Sequence, residues 1–411
     1  MAIRSDAQAQ EARFFGLTRN VFVLGLVSFL TDVSSEMTLT LLPLFLANVL
    51  GVKTSIIGLI EGIAEATASL MKVGSGWWSD RIGRRKWLTF AGYTLSAIAK
   101  PFLAVAGSWG TVLAVRWVDR VGKGIRTSPR DALLADSTPV ETRGRAFGWH
   151  RAADTAGAVV GLALSAWVIA ATQRATIELT RATYRTIVLI GIIPGFLAVL
   201  LLALFVSDVR SSQGRARGEP LLRAHGFPRP FYAFLVVIAL FTLGNSSDAF
   251  LLLRAQNLGL SAFQIALMLV GFNILYSLIS MPAGEFSDRL GRRQVILLGW
   301  GLYALVYLGF ALAGLAWQVV ALFVLYGLYY GTTEGVARAF VADLVPGGLR
   351  ATAYGLYHAV VGLMAFPASL LAGVLWQTWG PAAPFYFGAM LAALAAVGLV
   401  AIVRPGAAKA V

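Results

Sequence analysis

The chain has 411 residues, 58% of them hydrophobic and 13% charged, with a mean hydropathy of +0.73 and a formal net charge of +14. Soluble domains carry about 25% charged residues, and a chain sheds half of that complement when hydrocarbon surrounds it, because charge there is expensive. The absence of cysteine excludes disulfides, thiolate metal sites and cysteine nucleophiles.

A polar tail, residues 1–19, holds Arg4, Asp6, Glu11 and Arg13, and the apolar run after it is too long for the core of a cleavable signal peptide. A spanning helix needs about 20 apolar residues. Twelve segments qualify: 20–48, 55–79, 87–107, 110–134, 147–170, 186–207, 230–254, 262–286, 295–314, 317–342, 353–376 and 382–403. Basic residues crowd the connections after the second, fourth and eighth segments (Arg81, Arg84, Arg85, Lys86; Arg143, Arg145; Arg289, Arg292, Arg293). The first connection holds only Lys53, and 107–110 holds no basic residue. The charge excess thus reads as topology rather than nucleic-acid binding, with the basic loops and both termini cytoplasmic. The basic stretch 171–185 does not fit this pattern.

The first segment carries Asp32 and Glu36, one turn apart on one helix face. Asp32 lies about 18 Å from the helix start, near the bilayer centre. Carboxylates at that depth belong in a wet cavity, where they suit proton coupling; the alternative is a structural pair with a basic residue of another helix. The second segment adds Glu61, Glu65 and Lys72, and the third Lys100 before Pro101. The fourth holds Arg116, Asp119, Arg120, Lys123 and Arg126, with Asp119 and Lys123 spaced as i,i+4 partners. The fifth opens with His150, Arg151 and Asp154.

Residues 208–229 are polar and rich in Ser, Gly and Arg, which suits a flexible cytoplasmic linker. They divide the chain into six-helix units at 20–207 and 230–403, with 404–411 as a tail. The second unit is poorer in polar groups: Asn245 to Asp248, Asn273, Glu334, Arg338, Tyr354 and His358. Asn245–Asp248 could complete a substrate or cation site or make a helix-to-helix hydrogen bond. The three histidines lack metal-ligand spacing, so no metal and no cofactor is expected. Trp77, Trp78 and Trp117 read as interface anchors.

The two units repeat one another. Gly76-Trp-Trp-Ser-Asp80-Arg81-Ile-Gly83-Arg84-Arg85 matches Gly284-Glu-Phe-Ser-Asp288-Arg289-Leu-Gly291-Arg292-Arg293 at an offset of 208. Ala132 to Asp136, Pro139, Arg143 and Gly148 match Ala339 to Asp343, Pro346, Arg350 and Gly355 at an offset of 207. A parallel repeat of six spans, with the glycine-aspartate-arginine loop in both halves, resembles the major facilitator superfamily over nearly the whole length. The similarity is nearest to a largely uncharacterised prokaryotic branch, in Asp32–Met37, Gly58–Glu65 and Asp119–Arg126. Arg120–Gly124 partly matches the family's arginine motif of the fourth span, with Lys123 in place of Gln. The fifth span lacks the proline of many drug antiporters.

The resemblance implies an all-α polytopic membrane protein of twelve helices in two pseudo-symmetric bundles. It implies a secondary transporter, not an enzyme, working by alternating access in the cytoplasmic membrane as a monomer. Its partners are protons, a small-molecule substrate and the lipid bilayer, and not nucleic acid. The expected proton-coupling residues are Asp32, Glu36, Glu65, Asp119 and Asp154. Arg120, Lys123, Arg151, Asn245, Asp248 and Glu334 are expected at the substrate, with the proton-active groups concentrated in the first half. Gly76, Asp80, Arg81, Gly83, Arg84, Arg85, Asp288, Arg289 and Arg292 are expected to gate the cytoplasmic face; a purely topogenic basic loop is the alternative. Export of a small organic solute is the favoured direction. Import of an organic anion with protons is the alternative, and a non-transporting membrane sensor is the reading from another class.

Overall fold

The computed structural model describes residues 13–14, 17–82, 85–138, 143–173, 176–208, 227–345 and 350–402. Two short strands, β1 (Arg13–Phe14) and β2 (Leu17–Thr18), pair antiparallel ahead of the first helix. Fourteen α-helices follow among the described residues. The first six spans are α1 (Arg19–Leu39) with α2 (Leu42–Asn48), α3 (Thr54–Ile82), α4 (Arg85–Ala99) with a 3₁₀ turn at Lys100–Val105, α5 (Trp109–Asp136), α6 (Arg143–Thr172) and α7 (Arg181–Phe205). The second six are α8 (Arg229–Gly244) with α9 (Ala249–Asn257), α10 (Ala262–Leu290), α11 (Arg292–Leu312), α12 (Ala316–Asp343), α13 (Arg350–Trp379) and α14 (Ala383–Ile402).

Three spans expected to be continuous are broken beyond their midpoints, toward the ends away from the basic loops. Pro43 lies at the start of α2 and Pro101 at the start of the 3₁₀ turn, and each lacks the N–H that would continue the helix before it. The third break, at 245–248, has no proline; Asn245, Ser246, Ser247 and Asp248 offer side-chain partners in place of the helical ladder. Carrying the first break through the repeat offset places it on the third, so both halves open with a broken helix.

Ten segments among the described residues are long and apolar enough to cross a membrane. The two remaining long helices, α3 with 29 residues and α5 with 28, carry most of the internal charge. Each lies against neighbours that cover that charge: α3 packs on α5 and α13, and α5 on α4.

Glycine sets the closest approaches. A Cβ at Gly58 would lie 2.1 Å from Ser369 O, and one at Gly62 would lie 2.8 Å from Phe366 O, so α3 and α13 meet backbone to backbone. Thr54 Oγ1 donates to Gly373 O at 3.2 Å and Ser55 Oγ to Gln377 Oε1 at 2.7 Å on the same seam. Beside it, Ala262 N donates to Ile177 O at 3.1 Å, which ties the connection before α7 to the start of α10. These contacts close one face of the molecule between its halves. On the other face, where α3 ends and α4 begins, Gly74, Gly148, Gly335 and Gly355 each have open space where a Cβ would stand. The basic-loop face runs through 83–84, 139–142 and 346–349, which lie outside the described residues.

Candidate functional site: a charged cavity between the halves

A cavity of about 460 Å³ lies between the two halves. Asp32, Ser35, Glu36, Leu39, Thr40 and Pro43 line it from the first span at intervals of one helical turn. Arg116, Asp119, Arg120, Lys123 and Arg126 do the same from α5, and Glu61 and Glu65 from α3. The opposite wall comes from the break at 245–248, from Phe272 and Asn273 of α10, and from Tyr326 and Tyr330 of α12.

Pairing on the first wall is unequal. Arg116 Nη2 meets Glu61 Oε2 at 2.8 Å with both side chains nearly fully buried. Arg120 Nη2 meets Glu65 Oε1 at 3.2 Å. Lys123 and Arg126 have no ion-pair partner among the described residues. The i,i+4 pairing expected between Asp119 and Lys123 is thus not formed; the helix offers the spacing, but no ion pair closes it. Arg126 is 6% exposed, lies over the Tyr93 ring at 4.3 Å, and leaves Nε and Nη1 without a hydrogen-bond partner. Lys100, 1% exposed, donates to Ser34 Oγ at 3.1 Å and Ser35 Oγ at 2.8 Å behind the wall.

The remaining acids have neutral partners or none. Glu36 Oε2 accepts from Thr40 Oγ1 at 2.5 Å, and Asp248 Oδ1 accepts from Tyr326 OH at 2.7 Å. Asn245 Oδ1 accepts from Tyr303 OH at 3.2 Å, which fixes the broken end of α8. Asp32 lies in the electrostatic field of Asp154, Lys123, Glu36 and Arg126.

Several expected residues gather here: Asp32, Glu36, Glu65, Asp119, Arg120, Lys123, Asn245 and Asp248 all line the one cavity. Three do not. Asp154 faces α1, where Ser28 Oγ donates to it, and His150 Nδ1 stands 3.7 Å away. Arg151 donates to Tyr276 OH, which donates to Glu334 Oε2 at 2.6 Å, while Arg338 pairs with Glu334. Arg151 and Glu334 thus form a bridge from α6 to α10 and α12 instead of lining the cavity. The residues that sequence reasoning left out are Glu61, Arg116 and Arg126 and the rings Phe272, Tyr326 and Tyr330. Arg126 was within reach, three residues beyond Lys123 on the same face. The rings were not, because aromatic residues in a span usually face lipid or pack.

The gating residues are placed in part. Gly76 packs on Ser128, whose Cβ would be 3.3 Å from a Cβ there. Arg85 pairs with Asp136 at 2.5 Å and Arg292 with Asp343 at 2.6 Å. The two repeated motifs therefore clasp each other, each within its own half. Arg289 is exposed. Gly83 and Arg84, and the side chains of Asp80, Arg81 and Asp288, lie outside the described residues.

The family model described as Major Facilitator Superfamily matches residues 24–254 and 232–410. An uncharacterised MFS-type transporter of Methanocaldococcus jannaschii is 37% identical over 393 residues, 94% of this chain and 95% of that one. In fold, the nucleoside transporter NupG superposes with a TM-score of 0.74 at 16% identity, over 94% of this chain and 99% of its own. A D-xylose-proton symporter does so with a TM-score of 0.75 at 16% identity, over 94% and 97%. With both halves matched and the repeat, the twelve spans and the inter-half cavity in place, the chain belongs to the Major Facilitator Superfamily.

Proposed function

We propose that the chain is a proton-coupled secondary transporter of a small organic solute, that the inter-half cavity is its binding site, and that Asp32 and Glu36 carry the proton. The observation that supports this most is the position of both carboxylates on the wall of a cavity that lies between the halves and is closed at one face by the α3–α13 seam. A group so placed meets water from one side at a time if the halves rock. Glu65 and Asp119 are second in line; Asp154 does not line the cavity and stands behind them. The basic loops, the tail and the linker at 208–229 face the cytoplasm in this reading, and the closed seam lies on the opposite side. The chain sits in the cytoplasmic membrane as a monomer.

For direction, export is the analogy with the superfamily. Import of an organic anion with protons is favoured by one observation, the unpaired Lys123 and Arg126 in the cavity. Proteoliposomes holding a pH indicator, with an imposed proton gradient, test the coupling. Solute-dependent proton movement present in the parent and lost in Asp32→Asn and in Glu36→Gln is the expected result. Undiminished pH-driven flux in both variants removes the assignment.

A further inference from the structure

The two walls of the cavity treat charge differently. Among the described residues, the first half lines it with five carboxylates and four bases. Four of those acids are answered by bases of their own half. Glu61 meets Arg116 and Glu65 meets Arg120. Asp32 stands in the field of Lys123 and Arg126, and Asp119 in that of Lys100, Arg120, Arg116 and Arg126. The fifth, Glu36, accepts from Thr40 Oγ1 at 2.5 Å and has no ion pair among the described residues.

The second half contributes one charged residue to the lining among the described residues, Asp248, and no base. Asp248 lies in the break before α9, at the N-cap of that helix, yet its side chain does not cap it. An aspartate there ordinarily accepts from the first turn. Instead Oδ1 accepts from Tyr326 OH at 2.7 Å, and Oδ2 has no partner among the described residues. The residue is exposed although it stands between the two six-helix units, so the space it meets is the cavity. The charges that act on it most strongly from across that space are Glu65, Glu61 and Glu36, which are acids too. A carboxylate within a span is costly, and one that neither caps a helix nor pairs with a base has another use.

The wall around Asp248 is aromatic. The Tyr326 ring lies 5.7 Å from Phe272 and 5.8 Å from Tyr330, and those two stand 5.8 Å apart at 76°. Phe272 and Tyr330 are half-buried and line the cavity. The electron-rich faces of such rings attract cations. Asn273 adds an acceptor: its Nδ2 donates back to Leu269 O at 2.9 Å, which leaves its carbonyl oxygen without a partner among the described residues. An ammonium satisfies all three kinds of group, donating to carboxylate and carbonyl while its body rests on a ring. A proton on the same carboxylates would also remove their charge, so proton and ammonium are rivals there. At about 460 Å³ the space is within the range of about 300–1,000 Å³ common for small-molecule sites.

We infer that the substrate is a small organic cation, an amine in its ammonium form or a quaternary ammonium, its charge met by Asp248 with Glu36 across the cavity and its apolar body seated against Phe272 and Tyr330. This rests on the reading of the cavity as the transport site and names what that site holds.

Isothermal titration calorimetry on the full chain in detergent, at mildly alkaline pH, tests it with four probes: phenethylammonium, benzyltrimethylammonium, 2-phenylethanol and phenylacetate. The two cations are expected to bind at least about tenfold more tightly than the alcohol or the anion, the ratio of one good charged contact. Asp248→Asn should remove that advantage while leaving the alcohol unchanged, and Asp248→Glu should restore part of it. Phe272→Leu should weaken the cations about threefold or more, and the alcohol less. Thermal unfolding of each variant identifies one that has merely failed to fold, in which case Glu36→Gln serves in place of Asp248→Asn. The inference is overturned if neither cation binds, if phenylacetate or the alcohol binds as tightly as the cations, or if the cations are indifferent to both Asp248→Asn and Glu36→Gln. Proteoliposomes separate the two readings, with benzyltrimethylammonium as the solute because it cannot cross the bilayer as a neutral base. Binding in the expected pattern without solute-dependent proton movement sinks the transporter and keeps the cation site. Proton movement driven by phenylacetate or the alcohol and by neither cation does the reverse.

Discussion

Replacing Gly58 by alanine puts the closed seam under a calculable load. The new Cβ would stand 2.1 Å from the carbonyl oxygen of Ser369, and ordinary contact begins at 3.4 Å, so α3 and α13 must part locally by about 1.3 Å. Backbone cannot swing aside as a side-chain tip would. Overpacking of this kind costs about 1–3 kcal/mol. If the halves rock, that cost falls on the present conformation and is relieved in the one where α3 and α13 separate, a shift in population of about 5–150-fold. Alanine is also the better helix former by about 1 kcal/mol, but that gain is common to both conformations, so the melting temperature can hide what the equilibrium reveals. The readout is therefore a distance. The chain has no cysteine, so Lys53→Cys and Thr378→Cys give one clean pair of spin labels across the seam. Gly58→Ala should add a population at longer distance. Gly107→Ala, with no atom within 4 Å, should leave the distribution alone. A distribution in Gly58→Ala that superimposes on the parent's would refute the idea that this seam is a moving contact.

Two further substitutions test the charge and cap assignments. Glu61→Gln leaves Arg116 buried without a charge partner and should lower stability by about 3–5 kcal/mol in chemical unfolding; the double change Glu61→Met with Arg116→Met should recover most of it. Arg254 donates to Phe310 O at 3.1 Å and Ala313 O at 2.7 Å, closing the end of α11. Arg254→Met should cost about 1–3 kcal/mol for each carbonyl left without a donor, with faster amide exchange confined to the connection between α11 and α12.

The fold was legible because its cause is written locally. Apolar runs of spanning length, and a repeat carrying Asp80 and Asp136 onto Asp288 and Asp343, are properties of single segments. The cavity residues of α1 and α5 were legible for the same reason: charges at turn-length spacing in a span have one dry face to avoid. What escaped needs two segments at once. That Arg116 is claimed by Glu61 while Lys123 is claimed by no acid depends on how α3 rotates against α5. Arg151 and Glu334 look like cavity residues by depth, but the rotation of α6 turns Arg151 to Tyr276 instead. The charges of 171–185 acquire a partial account only in three dimensions, where Arg181 Nη1 donates to Ala106 O at 3.2 Å and Ile177 meets the start of α10.

The broken first helix of each half has a consequence for how the shut face can open. Past the breaks, α2 and α9 are tips of seven and nine residues, and they touch each other on the shut side. A short tip jointed to the helix before it can tilt while the long helices stay still. Occlusion of a bound solute and reorientation of the whole molecule then become two separate motions, each with its own barrier, and a cargo could be trapped from both sides before either bundle has turned.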